Sequence, residues 1–203
     1  MLRHEIPVRG VKILEKVKSF KLLICGAGAI GSNLALTLSK QGFESITVLD
    51  KDRVEPHNIG TQVYGPDNEG QLKTQALSQI VFESSGVVIE QHARELKEPN
   101  SRYLNGHDLI VDAFDNSKSR RMLFECGREV LHCGFNGPYS EIRWNSRYVV
   151  PSDHGEDICE YPLARNLVTL TVSILAEVII EFISTGNRIN KSVTFKDLKI
   201  HTD

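Results

Sequence analysis

The apolar run Leu22-Leu23-Ile24-Cys25 leads straight into Gly26-Ala27-Gly28-Ala29-Ile30-Gly31, and Ile30, Leu34 and Leu38 then recur at helical spacing. This order predicts a strand over 21–25, a glycine turn and a helix over 30–41 ended by Gly42. A second strand follows over 45–49. A strand-helix-strand crossover favours parallel pairing and a right-handed connection, so the chain is directed toward an α/β fold. Gly26 permits the tight turn, Gly28 admits a phosphate close to the backbone, and Gly31 lets the helix approach the sheet. Unpaired N–H groups at the helix start suit an anion. Asp50, nineteen positions beyond Gly31, ends the second strand where a ribose hydroxyl would need an acceptor.

The remaining pattern extends the same fold. A short amphipathic helix is expected over 11–19, a polar loop over 51–71 and a helix over 72–83. Strands are expected over 87–91, 109–113 and 130–134, with a helix over 119–128. Alternation over 143–150 predicts an antiparallel strand, 163–184 a closing helix and 192–200 an edge strand. The expected fold is therefore α/β: a Rossmann-like mixed sheet with a mostly parallel nucleotide-binding half and antiparallel C-terminal strands. At 203 residues, one domain over 1–203 is expected. A helical extension lies near 10–20 and a helix-strand extension near 163–200.

A net charge of −2 without a Lys/Arg block gives no footprint for nucleic acid. Cys25, Cys126, Cys133 and Cys159 form no CxxC pair, so neither structural zinc nor a disulfide framework is expected. The first ten residues lack the apolar run of a secretion signal. Glu177 and Glu181 interrupt the greasy stretch 167–183, which reads as a buried helix and not a membrane span. A cytoplasmic protein is the expectation.

The glycine turn alone admits NAD and ATP equally. Later residues favour ATP. Asp112 and Asp115 stand at the end of the strand over 109–113, where open parallel sheets bind ligands. Asp115 is placed to hold Mg2+, a hard ion that prefers oxygen ligands and phosphate bridges. Asp112 is either a supporting residue or a helix cap. Lys73, at the start of the helix after the long loop, can meet phosphates if that loop folds back. Asn58 and Gln62 can orient ribose or phosphate oxygens.

These motifs resemble the ThiF/MoeB/ubiquitin-activating enzyme superfamily, whose members adenylate the C-terminal glycine of a ubiquitin-fold protein. The match is carried by Lys21-Leu22-Leu23-Ile24-Cys25, Gly26 to Gly31, VLDKDRVEPHN at 48–58, Gln62 with Lys73, DAFDNSKSR at 112–120 and the apolar helix at 167–183. The resemblance implies that Gly26, Gly28 and Gly31 surround the ATP phosphates and Asp50 binds ribose. Asp52, Asn58, Gln62 and Lys73 belong to the adenylation pocket, Asp115 to Mg2+, and Arg120 to the organisation of its loop. It further implies a homodimer, in which Arg9, or alternatively Arg3, reaches the partner's ATP, and a small sulfur-carrier or ubiquitin-like partner ending in Gly-Gly.

Some relatives pass the activated glycine to a cysteine. Cys159 is the candidate here, although Asp157 and Glu160 beside it supply no positive charge to activate a thiol. Thr61 departs from the family pattern, which carries an arginine there. A hydroxyl supplies neither the charge nor the five-donor fork. Two readings follow from this departure: another arginine compensates, or the chain is a catalytically weak structural subunit. An NAD(P)-dependent oxidoreductase is a third, disfavoured by Lys73 and Asp115.

Overall fold

A computed structural model describes residues 3–152 and 163–202. Strand β1 (Leu22–Cys25) is buried at all four positions, as a central parallel strand requires. Helix α3 (Ala29–Lys40) returns the chain, burying Ile30, Leu34, Ala35 and Leu38 along one stripe. Strand β2 (Ile46–Leu49) then pairs parallel to β1, with Leu22 opposite Ile46 and Cys25 opposite Leu49.

The remaining strands are β3 (Glu90–His92), β4 (Leu109–Asp112), β5 (Val130–Asn136), β6 (Tyr139–Trp144), β7 (Lys191–Thr194) and β8 (Lys199–Thr202). Together they form one eight-stranded sheet in the order β3-β2-β1-β4-β5-β6-β7-β8. Pairing is parallel from β3 to β5 and antiparallel from β5 to β8. The expected mixed sheet is therefore present, with order reversing about β1 and β4. That reversal opens a crevice at the carboxyl ends of the parallel strands.

Helices α2 (Val11–Ser19), α3, α4 (Lys73–Ser85) and α6 (Arg165–Thr185) contribute to one core. It includes Leu22, Ile24, Ile46, Val48, Leu109 and Val111 from the sheet. The alternate residues Leu23, Cys25, Leu49 and Ile110 join a second core with Leu96, Leu104 and Leu123, the last from α5 (Ser117–Glu125). A short helix α1 (Ile6–Arg9) precedes α2 across Gly10. Helix α6 has the length and hydropathy of a membrane span, yet Leu167, Val168, Val172, Leu175, Ala176 and Ile179 are buried against the protein.

Three expectations need correction. The strand expected over 87–91 is the shorter β3, Glu90–His92. The antiparallel strand expected over 143–150 is instead Tyr139–Trp144, joined to β5 by a hairpin at Gly137 and Pro138. Its inward positions are Ser140, Ile142 and Trp144, and the polar Ser140 hides the period-two pattern. Burial of Ser140 is compensated by a 2.6 Å hydrogen bond to Thr171 on α6. The single edge strand expected over 192–200 is two strands, β7 and β8, around a turn in which Leu198 adopts φ 53°.

Leu175 is fully buried and Ser173 is exposed on the same helix. Leu175→Ala should lower unfolding free energy by about 2–5 kcal/mol. Ser173→Ala should change it by less than about 0.5 kcal/mol in the same urea titration.

Candidate functional site

The glycine turn at the end of β1 is shaped by two close backbone approaches. At Gly26, with φ 101°, a Cβ would lie 2.7 Å from the Ala113 carbonyl oxygen. At Gly31 a Cβ would lie 1.8 Å from the Gly26 carbonyl oxygen. Both positions exclude a side chain, so the first turn of α3 sits directly on the loop. Gly28 is different: among the described residues a Cβ there meets nothing within 4 Å. Gly26 and Gly31 thus serve packing.

Asp50 links this turn to the next loop. Its Oδ2 accepts the Ala27 N–H at 2.6 Å and its Oδ1 accepts the Asp52 N–H at 2.7 Å. Burial raises its pKa, opposed by these two N–H donors and by the charge of Lys73. Each carboxylate oxygen retains acceptor capacity beyond its backbone bond.

The long loop after β2 folds back, as the position of Lys73 requires. Arg53 and Leu72 form an antiparallel bridge, the Val54 N–H bonds the Gln71 carbonyl, and the Lys73 N–H bonds the Asp52 carbonyl at 2.9 Å. Lys73 therefore starts α4 next to the exit of β2. Its ammonium makes no ion pair within 4 Å among the described residues, although its charge acts on Asp50. The Asp52 carboxylate is exposed, 3.9 Å from the Lys51 ammonium.

Within the loop, buried Asn58 accepts the Glu55 N–H through Oδ1 at 2.9 Å and so shapes the turn. Asn33 donates to the Thr61 carbonyl at 2.9 Å, and the Val63 N–H reaches Ser32 Oγ at 3.4 Å. These bonds fasten residues 61–63 to the start of α3. Among the described residues, Gln62 Oε1 is buried without a hydrogen-bond partner. Tyr64, which the sequence motifs did not single out, donates to the Ala27 carbonyl at 2.8 Å and also lies 3.3 Å from the Lys73 carbonyl. It joins the glycine turn to α4. A lone aromatic in a polar loop is its only sequence signal.

At the end of β4, Asp112 is fully buried and Asp115 is exposed. Asp112 bonds the Phe114 N–H at 3.1 Å and His132 Nδ1 at 2.7 Å. It does not cap α5; Asn116 does, accepting the Ser119 N–H. The His132 ring stacks on Tyr148 at 3.7 Å, and its Nε2 lies 2.7 Å from Asn145 Oδ1. Arg120 donates to Tyr148 Oη at 3.0 Å and to the Phe114 carbonyl at 2.7 Å. Burial opposes the Arg120 charge, but Asp112 and Tyr148 outweigh that cost and its pKa is raised. Gly134 makes room for this guanidinium, since a Cβ there would lie 2.8 Å from it. Arg120 thus organises the loop that carries Asp115. The supporting His132, Gly134 and Tyr148 were not legible from the motifs; a histidine within an apolar strand was the one available signal.

Arg9 lies in a separate group. It donates to Glu5 at 2.6 Å and to both carboxylate oxygens of Glu177 on α6, which raise its pKa despite the cost of burial. Arg3 is exposed before α1. Cys159 lies outside the described residues. Cys25 and Cys133 are buried, which raises both thiols, Cys133 to about 12. Neither is a ready nucleophile.

The described residues contain no cluster of three or more His, Cys, Asp or Glu side chains suited to a metal. An exposed Asp115 still fits the usual Mg2+ arrangement of one or two carboxylates with substrate phosphates and water.

The ThiF family pattern matches residues 2–142. Over 124 residues the chain is 32% identical to adenylyltransferase and sulfurtransferase MOCS3-2 of Zea mays, covering 60% of this chain and 26% of that protein. It is 30% identical over 122 residues to SUMO-activating enzyme subunit 2 of Dictyostelium discoideum, covering 58% and 18%. The chain therefore spans only about a quarter or less of the length of these two curated relatives. The structure of E. coli MccB with ATP gives a TM-score of 0.77 at 16% identity, covering 96% of this chain and 66% of that one. MccB with MccA-N7isoASN gives 0.79 at 17%, covering 96% and 67%. At these identities the structural likeness establishes the fold.

Two stability predictions follow from the loop geometry. Gly31→Ala should cost about 3 kcal/mol or more, whereas Gly28→Ala should cost no more than about 1 kcal/mol, measured by chemical denaturation. His132→Leu, which removes both ring partners from buried Asp112 and Asn145, should cost about 3 kcal/mol or more in the same measurement.

Proposed function

This chain belongs to the ThiF family, and we propose that it is an ATP-dependent adenylyltransferase acting on the C-terminal glycine of a small sulfur-carrier or ubiquitin-like protein. The observation that carries this function is the return of Lys73 to Asp50 beside the glycine turn, because it brings an uncommitted cation to a nucleotide loop. The Gln62 Oε1, without a partner among the described residues, lies in the same loop and can accept from a ligand there. The names of the relatives above support both an adenylyl-transfer reaction and a ubiquitin-like or sulfur-carrying substrate.

In the proposed reaction, a carboxylate oxygen of the carrier attacks the α-phosphorus of ATP. A new C–O–P linkage forms, the bond to the β-phosphate bridging oxygen breaks, and pyrophosphate leaves with the electron pair. A C-terminal carboxylate is ionised near pH 7, so no general base is needed. Rate acceleration then depends on alignment and on stabilising phosphate charge. Backbone N–H groups around Gly28 and the start of α3 face the phosphates, Lys73 neutralises their developing charge, and Asp50 binds ribose. Asn58 and Gln62 shape and line the loop, and the Asp52 carbonyl holds the start of α4. Asp115 would hold Mg2+, which when bound supplies Lewis-acid charge to the phosphates.

The proposed protein is a cytoplasmic homodimer to which each chain contributes an adenylation domain. For Arg9 to serve a partner's nucleotide it must first leave Glu5 and Glu177, so Lys73 and Asp115 are the principal charged groups of the proposed site. The Thr61 hydroxyl is the observation that favours a second reading, a structural subunit needing a related partner for activity.

Lys73→Ala and Asp115→Ala should each reduce carrier-dependent ATP–pyrophosphate exchange at least about 100-fold, while circular dichroism and urea midpoints stay near wild type. Exchange by both variants at the wild-type rate would remove these roles. Exchange by the wild-type chain only after addition of a second subunit would establish the alternative.

A further inference from the structure

We propose that Arg165, at the first position of α6, is a phosphate-binding residue of this nucleotide site; the assignment rests on the nucleotide-binding function proposed above. Its Nη1 donates to the Gln62 carbonyl at 3.1 Å, across 103 positions of sequence. Gln62 belongs to the turn that Asn33 and Ser32 fasten to the start of α3. The guanidinium therefore sits against the same loop that carries the orphaned Gln62 Oε1.

Three other arginines are already engaged. Arg120 is buried against Phe114 and Tyr148, Arg9 is held by Glu5 and Glu177, and Arg53 donates to the Gly70 carbonyl. Lys73 acts on Asp50. Arg165 is exposed, and among the described residues its one hydrogen bond uses one of five N–H donors. A planar fork of this kind suits phosphate oxygens.

The placement also works against α6. A cation in the first turn of a helix is disfavoured by the helix dipole, and neither an acidic residue in that turn nor a side-chain cap at Ala164 offsets it. A phosphate beside the guanidinium would reverse that penalty. Thr61, one residue before the carbonyl that Arg165 holds, presents only a hydroxyl. Arg165 thus brings positive charge from a distant helix to a turn that lacks its own.

The test is calorimetric titration with ATP in magnesium chloride, with adenosine affinity measured by competition. It compares the wild-type chain, Arg165→Ala, Arg165→Lys and the double variant Arg165→Ala/Thr61→Arg. Arg165→Ala should weaken ATP binding about 10- to 100-fold, the range for hydrogen bonds to a charged group, with adenosine unchanged. Arg165→Lys should lose less, because it keeps the charge but not the fork. Thr61→Arg should restore much of the affinity in the Arg165→Ala background. ATP binding by Arg165→Ala at wild-type strength, or a parallel loss of adenosine, would overturn the assignment while leaving the nucleotide site intact. Failure of the wild-type chain to bind ATP would overturn both.

Discussion

The close seating of α3 on the glycine turn governs the rest of this site. The Gly31 position can hold no Cβ because the Gly26 carbonyl occupies its place, and Gly26 in turn lies against the Ala113 backbone. These contacts set the helix start at the carboxyl end of β1 and bring the exits of β1 and β4 together. Once the backbone is so placed, the Ala27 N–H can reach Asp50 and the Ala27 carbonyl can receive Tyr64. Close packing here is transmitted into polar geometry because backbone groups are rigid and must be paired.

Two polar devices extend that geometry outward. Tyr64 and the bridge between Arg53 and Leu72 draw a loop of about twenty residues back to its origin, making the position of Lys73 local in space. On the other side, Asp112, His132, Tyr148 and Arg120 form a buried chain of contacts beneath the Asp115 loop. A network of this kind is costly if incomplete and rigid when satisfied. Asp115 can therefore be exposed while its backbone is held from below.

A reaction between a carboxylate and a triphosphate asks chiefly for control of negative charge. Near the loops described above, Arg9, Arg53 and Arg120 are held by carboxylates or carbonyls within the chain. In the proposed site Lys73 and Arg165 approach the loop after β2 from α4 and α6. Under the proposal above, this convergence supplies from a distant helix the arginine that the loop itself lacks.

Much of the fold was legible because its signals are local. The step from apolar residues to glycine and then to helical spacing specified the first crossover, and Asp50, Lys73 and Asp115 stood out by their distance from it. Ser140 and Leu198 obscured strand boundaries, since a polar residue inside β6 and a left-handed turn before β8 derive their stability from tertiary partners. The sequence by itself determined the crossover, the parallel half and the polar residues available to a nucleotide. Tertiary structure alone decided that Asp112 joins His132, that Arg9 is bound by Glu177, and that Arg165 reaches Gln62. Those outcomes depend on hydrogen-bond partners 20 to 168 positions apart, which local periodicity cannot encode.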